Sequence, residues 1–339
     1  MAQSLAVKYR PKDFSEVLGQ GSVIRILSRQ LEIGKISNCY LFCGPSGDGK
    51  TTICRALAKY INNNKGSVIE IDGASNNGVD AVRSVIESAR ERSIDSDYKV
   101  FLIDECHMIT NAGWNAFLKC LEEPPQYTIF MFCTTNPEKV PETILNRVMR
   151  FNLTKVDTTL IKNRLEYISR CEGFTNYAEA CDFIAKLSAG GVRDAIAMLE
   201  KCASYDTDLN IENVLACLGN FSYNSLFDLT GALYNGDEAE VLSKIDAYYN
   251  SGNDLKLFIE QYLDFVLDLT KYCLFKDMSM IKIPSSLQDR CNGYSNIPDI
   301  LNYSNTLVEK VLEVKNAIKY DVNSKTTVEA MFIAICRGI

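Results

Sequence analysis

Histidine is nearly missing from this chain of 339 residues: His107 is the single one. None of its thirteen cysteines stands in a CxxC pair, so no Cys or Cys/His set with the spacing of a zinc site can be assembled. Cys39, Cys43 and Cys54 lie near one another in sequence, but Cys43 closes an apolar run that reads as a buried strand. The cysteines mostly occur singly inside runs such as LFCGP, MFCTT and AICRG, where a thiol behaves as a small apolar side chain. They are therefore read as reduced and structural, with no zinc. Nor does any segment approach the ~20 uninterrupted apolar residues that a membrane helix needs. The first residues, MAQSLAVKYRPKDF, lack the apolar core and small-residue cleavage site of a secretory signal, and a cytoplasmic protein with no membrane partner is expected. An excess of basic charge is missing too, since 36 Lys and Arg face 43 Asp and Glu for a net charge of -7. That excludes a uniformly basic nucleic-acid coat while leaving room for local basic patches.

What is present is a soluble globular composition, 47% hydrophobic and 23% charged, on a chain long enough for two or three domains. The run CYLFC (39–43) ends on Gly44, and helix-forming ICRALAKYI follows Thr52. Between strand and helix, Gly44, Pro45, Ser46, Gly47, Asp48, Gly49, Lys50 and Thr51 satisfy GxxxxGK[ST] at each fixed position, in the context that gives the pattern meaning. Glycine lets the backbone curl so that its amides and the helix N-terminus surround phosphates. Lys50 neutralises the outer phosphates and Thr51 offers a hydroxyl to magnesium. Thr52 opens the helix behind them. ATP and Mg2+ are the expected ligands.

A second apolar run, KVFLI (99–103), ends on Asp104 and Glu105, at the carboxyl edge of what reads as a parallel sheet. Acids after a strand also occur on solvated loops. With a complete phosphate loop upstream, Asp104 is expected to hold magnesium and Glu105 to polarise the attacking water. A third run, TIFMFC (128–133), leads into Thr134, Thr135 and Asn136, which suit hydrogen bonds to a terminal phosphate or water and equally suit a turn. Arg147 and Arg193 each stand beside a helix-forming stretch, a place where an arginine is ordinarily a solvated surface residue.

In order, the segments LAVKYRPKDFSEVLGQ, GPSGDGKTT, IEIDGASNNGVDAVR, FLIDECHMIT, FLKCLEEPP, TTNPEKVPETILNR and GGVRDAIAMLEK resemble the gamma/tau subunit of bacterial DNA polymerase III, an AAA+ clamp-loader ATPase. The resemblance runs through roughly residues 4–202 and becomes one of layout beyond them. It implies that Thr135 is the sensor-one position, Arg147 the finger offered to a neighbouring subunit's ATP and Arg193 sensor two. It puts Val7, Lys8, Tyr9, Arg10 and Pro11 near the adenine. Two departures stand out: the finger motif reads Asn146-Arg147-Val148 in place of Ser-Arg-Cys, and Tyr60 to Ser67 (YINNNKGS) fills the place of the family's four-cysteine zinc module. A compact subunit without the tau tail, from a bacterium or a phage-infected cell, is the expectation.

The implied fold is an α/β, RecA-like AAA+ domain with a parallel sheet (1–153), a small helical lid (154–219) and an all-α collar for oligomerisation (220–339). Leu255, Phe258, Ile259, Tyr262, Leu263, Val266 and Leu269, with Val328, Met331, Phe332 and Ile335, recur at helical spacing and read as bundle core or collar interface. The implied activity is ATP-driven loading of a sliding clamp onto primer-template DNA within a pentameric assembly of loader subunits. Two competing readings are a Holliday-junction branch-migration helicase, which would need a winged-helix domain after residue 222, and a scaffold subunit that does not hydrolyse ATP. Ser75, Asn76 and Asn77 are expected to cap a helix beginning near Val79, with Asn76, Asn77 and Arg83 facing template phosphates.

Overall fold

The computed structural model describes residues 3–218, 222–252, 254–319, 321 and 324–338. Contacts divide the chain into two compact units, 1–168 with 188–200, and 169–187 with 201–339. Residues 154–219, expected as a lid, thus contribute to both.

The first unit runs α1 (Leu5–Lys8), α2 (Gly21–Glu32), β1 (Cys39–Cys43), α3 (Lys50–Ile61), β2 (Ile69–Asp72), α4 (Val79–Ala89), β3 (Lys99–Asp104), α5 (Asn111–Glu122), β4 (Thr128–Thr134), α6 (Glu142–Leu145) and β5 (Met149–Asn152), followed by α7 (Thr158–Glu172). The five strands form one parallel sheet in the order β2-β3-β4-β1-β5. The three apolar runs of the sequence are its central strands, and they carry no polar alternation because helices cover both faces. On β1, Tyr40 and Phe42 join Leu102 and Met131 against Leu27, Ile53 and Leu57 of α2 and α3. Cys39, Leu41 and Cys43 join Phe101, Phe130 and Phe132 against Val82, Trp114 and Phe117 of α4 and α5. Each large side chain so buried contributes about 1.5–3 kcal/mol. The strands β2 and β5 lie at the sheet edges and are four residues each; only Phe151 of β5 is buried, so neither makes an apolar run.

The cysteines are free thiols, and most are buried. Burial pushes the thiol of Cys39 up to about 12, the setting of an inert structural cysteine.

The second unit is helical. Its elements are α8 (Tyr177–Leu187), the latter part of α9 (Val192–Tyr205), α10 (Ile211–Leu218), α11 (Tyr223–Asn235), α12 (Glu238–Asn250), α13 (Leu255–Phe275), α14 (Gln288–Ser295), α15 (Ile300–Ile318) and α16 (Ser324–Gly338). The stripe read from the sequence is its core: Leu255, Phe258, Ile259, Tyr262, Leu263, Val266 and Leu269 are all buried, together with Val328, Phe332 and Ile335, and Met331 packs against them. Two polar pairs sit inside it, Tyr262 meeting Thr230 at 3.0 Å and Tyr294 meeting Ser304 at 2.9 Å, while the buried hydroxyl of Tyr303 has no hydrogen-bond partner among the described residues. Among the described residues no strand follows β5 beyond a single bridge between Thr175 and Asp208. No helix among them is long and apolar enough to cross a membrane.

Candidate nucleotide-binding site

The site is built at the carboxyl ends of β1, β3 and β4. The chain leaves β1 at Cys43, whose carbonyl accepts from Leu153 N at 2.7 Å, and Gly44 N donates to the carbonyl of Thr134 at 3.2 Å. A Cβ on Gly44 would stand 3.0 Å from the Leu153 carbonyl oxygen, closer than side chains ordinarily pack, so glycine lets the turn start here without a shift of its neighbour. Gly47 and Gly49 have φ of 81° and 93°, the left-handed backbone that turns the loop into α3. The first residues of α3 are then Lys50 and Thr51. Lys50 is buried, and its Nζ donates to the carbonyls of Gly44 (2.7 Å) and Pro45 (2.6 Å), so the ammonium is held inside the curl of its own loop. Thr51 Oγ1 donates to Asp104 Oδ2 at 3.0 Å, joining the two groups expected to hold magnesium.

These residues border a cleft of about 370 Å³. Of the residues expected from the sequence, Tyr9, Arg10, Pro11, Ser46, Gly47, Asp48, Gly49, Lys50, Thr51, Thr52, Asp104, Glu105 and Arg193 line it. Gly44 and Pro45 lie beneath it as the carbonyl partners of Lys50. Val7, 43% exposed, and Lys8 are not among the residues that line it, whereas Ala6 is. The segment is a turn of α-helix, in which successive residues point about 100° apart, so a shift of one position changes the face.

Burial pushes the Asp48 carboxyl up, with Lys50 and Lys155 pulling it down and Asp194 adding to the rise. Both its oxygens are buried without a hydrogen-bond partner. Three further groups in the cleft escaped sequence reasoning. Arg55 grips Glu70 of β2 through two bonds of 2.6 Å, and Arg164 Nη2 donates to the Tyr9 carbonyl at 2.7 Å. Partners 15 and 155 residues apart leave no local signal.

Glu105 is the residue around which the polar groups gather. Its Oε2 accepts from Thr135 Oγ1 at 3.0 Å and lies 3.2 Å from His107 Nδ1. Asp104 Oδ1 accepts from Glu105 N at 3.0 Å. Thr135 therefore meets the cleft through Glu105.

Arg147 is remote from these groups. Its Nε and Nη2 bond Glu122 Oε1 at 3.1 and 2.5 Å, and Nη1 bonds the Thr143 carbonyl. Arg83 is mostly exposed beside Asp80, at 3.3 Å. The expected cap is a correction: α4 begins at Val79, but its N-cap is Gly78, which has no side chain to offer. Ser75 Oγ donates to Asp72 Oδ2 (2.7 Å), Asn76 Nδ2 to the Asp72 carbonyl (3.1 Å) and Asn77 Nδ2 to the Ala74 carbonyl (3.3 Å). Asp72, at the end of β2, draws these side chains into its own turn, and the bond from Ser75, then that from Ala74 N, holds its carboxyl below the usual range.

The description "DNA polymerase III, delta subunit" matches residues 66–157, and "DNA polymerase III subunits gamma and tau domain III" matches residues 209–297, within the helical unit. Among solved structures, the Thermotoga maritima RuvB Holliday junction branch migration motor superposes with a TM-score of 0.55 at 20% identity, covering 76% of this chain and 90% of that one, which shows a shared fold. The tau subunit of DNA polymerase III from Bacillus subtilis is 32% identical over 80% of this chain and 52% of its own length. The Escherichia coli tau subunit is 32% identical over 83% and 48%. The chain thus spans about half the length of these relatives. The gamma subunit of Buchnera aphidicola is 32% identical over 79% of this chain and 80% of its own length. An identity sustained across four fifths of the sequence outruns either unit alone, and on it this chain belongs to the family of bacterial DNA polymerase III gamma and tau subunits.

Proposed function

We propose that the chain is the ATP-driven motor subunit of a sliding-clamp loader. The observation that carries this reading is the convergence of Lys50, the Thr51–Asp104 pair and Glu105 on one cleft in a member of the gamma/tau family. Lys50 and the amides of the loop would receive phosphates, Thr51 and Asp104 would hold magnesium, and Glu105 would polarise water. Bound Mg-ATP supplies the phosphoryl group whose transfer to that water resets the subunit. Arg193 would report nucleotide state from the lid, residues 154–219, and Arg147 would serve a neighbour's site. Residues 220–339 would join companion subunits in a collar, giving a pentameric loader in the cytoplasm. In its ATP-bound form the assembly would grip and open a ring clamp, admit primer-template DNA and release the clamp on hydrolysis.

Supporting it against a scaffold subunit is the full set of phosphate-loop and acidic residues. The absence of a strand after β5 among the described residues speaks against a winged-helix helicase. The test is steady-state ATP turnover by the wild type and Lys50→Ala: loss of turnover in the variant is expected, and near-normal turnover would remove the site assignment.

A further inference from the structure

We infer that Arg164 is a positioning residue for the base of the nucleotide: its guanidinium ties the strap of residues 9–20 to α7 and so holds the wall against which the base rests. The inference deepens the ATP-binding reading proposed above and rests on it. Phosphates received by the loop leave base and ribose to the remainder of the cleft, and much of that remainder is apolar, namely Ala6, Pro11, Val17, Leu18, Val192 and Ile196. Pro11, Val17 and Leu18 belong to the strap. Between α1 and α2 its regular structure is one turn of 3-10 helix, Phe14–Glu16, so its place depends on the groups that fasten it. Phe14 is buried and stacks on Tyr60 of α3 with ring centroids 4.9 Å apart. Gln20 exchanges two bonds with the backbone of Thr154, Nε2 donating to the carbonyl at 2.7 Å and Oε1 accepting from the amide at 3.3 Å. At the opposite end, Arg164 Nη2 donates to the Tyr9 carbonyl at 2.7 Å. Phe14, Tyr60 and Gln20 stand off the cleft, whereas Arg164 lines it.

The chemistry of that last fastening suits its place. Tyr9 is the C-cap of α1, and the final carbonyls of a helix have no partner within it; a guanidinium supplies one, and its charge strengthens the bond. Arg164 is half-buried, and no carboxylate among the described residues competes for it. Its Cζ lies 5.4 Å from the ring centroid of Tyr167, three residues further along α7 and on the same face, and the Tyr167 ring meets Tyr9 edge-on at 6.3 Å. Backbone and ring of Tyr9 are thus both held from α7, and Arg10 and Pro11 follow directly into the cleft lining.

Calorimetric binding of Mg-ATP, Mg-ADP and magnesium tripolyphosphate to the full chain tests this, because tripolyphosphate offers phosphates without a base. Arg164→Ala should weaken ATP and ADP by the same factor, roughly 10-fold, the scale of a lost hydrogen bond to a charged group, and leave tripolyphosphate within about twofold. Retained tripolyphosphate binding also shows that the variant folds. Arg164→Lys, which keeps a charged donor without the planar fork, should recover part of the loss. In turnover assays the same factor should appear in KM for ATP, with kcat little changed. Unchanged ATP affinity in Arg164→Ala would overturn the inference. Equal loss for tripolyphosphate would overturn it too, since the bond would then support the phosphate site or the fold, and a greater loss for ATP than for ADP would move Arg164 to the terminal phosphate. ATP binding without turnover would remove the motor reading and leave this inference standing, whereas a chain that binds no ATP would remove both.

Discussion

Single residues in the cleft should fail in distinguishable ways. Lys50→Ala removes the charge that compensates the phosphates and should lose both binding and turnover, whereas Glu105→Gln keeps the cleft and loses water polarisation, so it should bind ATP and hydrolyse it slowly. Equilibrium binding of a fluorescent ATP analogue beside turnover separates the two, and weak binding by Glu105→Gln would contradict the assignment. Arg147 is the converse case. In the isolated chain it is tied to Glu122 in a half-exposed pair, with side chains 32% and 50% accessible, of a kind worth about 0–1 kcal/mol. As a finger acting on a neighbour it would be worth about 10³-fold or more in rate. Arg147→Ala should therefore fold and bind ATP, yet lose most assembly-stimulated turnover. Mixing it with Lys50→Ala subunits should restore part of the activity if the chain self-assembles, and otherwise the mixture is made within the full loader. Stimulated turnover at the wild-type level by Arg147→Ala would leave Arg147 a surface residue.

At the scale of elements, what could be read from sequence tracks how local the physics is. The phosphate loop is one contiguous run between an apolar strand and a helix, and its residues fall where the pattern puts them. The three central strands were legible because burial on both faces makes them continuously apolar, while β2 and β5, at the edges, carry too few buried side chains to stand out. The Arg55–Glu70 and Arg164–Tyr9 bonds depend on the sheet and helices being assembled first, and so does which residues of the helical turn Leu5–Lys8 border the cleft. The turn after β2 failed differently: Ser75, Asn76 and Asn77 suit a cap or a turn equally well, and Asp72 decides for the turn. Asn76 and Asn77 are thereby committed to backbone carbonyls, which leaves Arg83, exposed on α4, as the better candidate for a template phosphate. Arg83→Ala should weaken binding of primed DNA and lower the slope of log affinity against log salt by about 1, with basal ATPase retained. An unchanged slope would remove Arg83 from the DNA surface.

For the whole molecule, family membership and a complete cleft leave one question that matters more than the rest, namely whether ATP turnover answers to the machinery of replication. The helical unit buries the stripe read from the sequence as core or interface, while Leu257, Leu274 and Phe275 of α13 stay exposed, so in the proposed loader contacts between subunits would fall to surfaces other than the bundle core. Coupling between partner binding and hydrolysis is then a property of the assembly and is measured there. The most direct measurement is the ATPase rate of the assembled loader with and without primed DNA and its cognate clamp, beside the same assembly carrying Lys50→Ala. The account predicts a low basal rate, marked stimulation when DNA and clamp are both present, and none in the variant. A rate indifferent to DNA and clamp, or stimulation that survives Lys50→Ala, would contradict it.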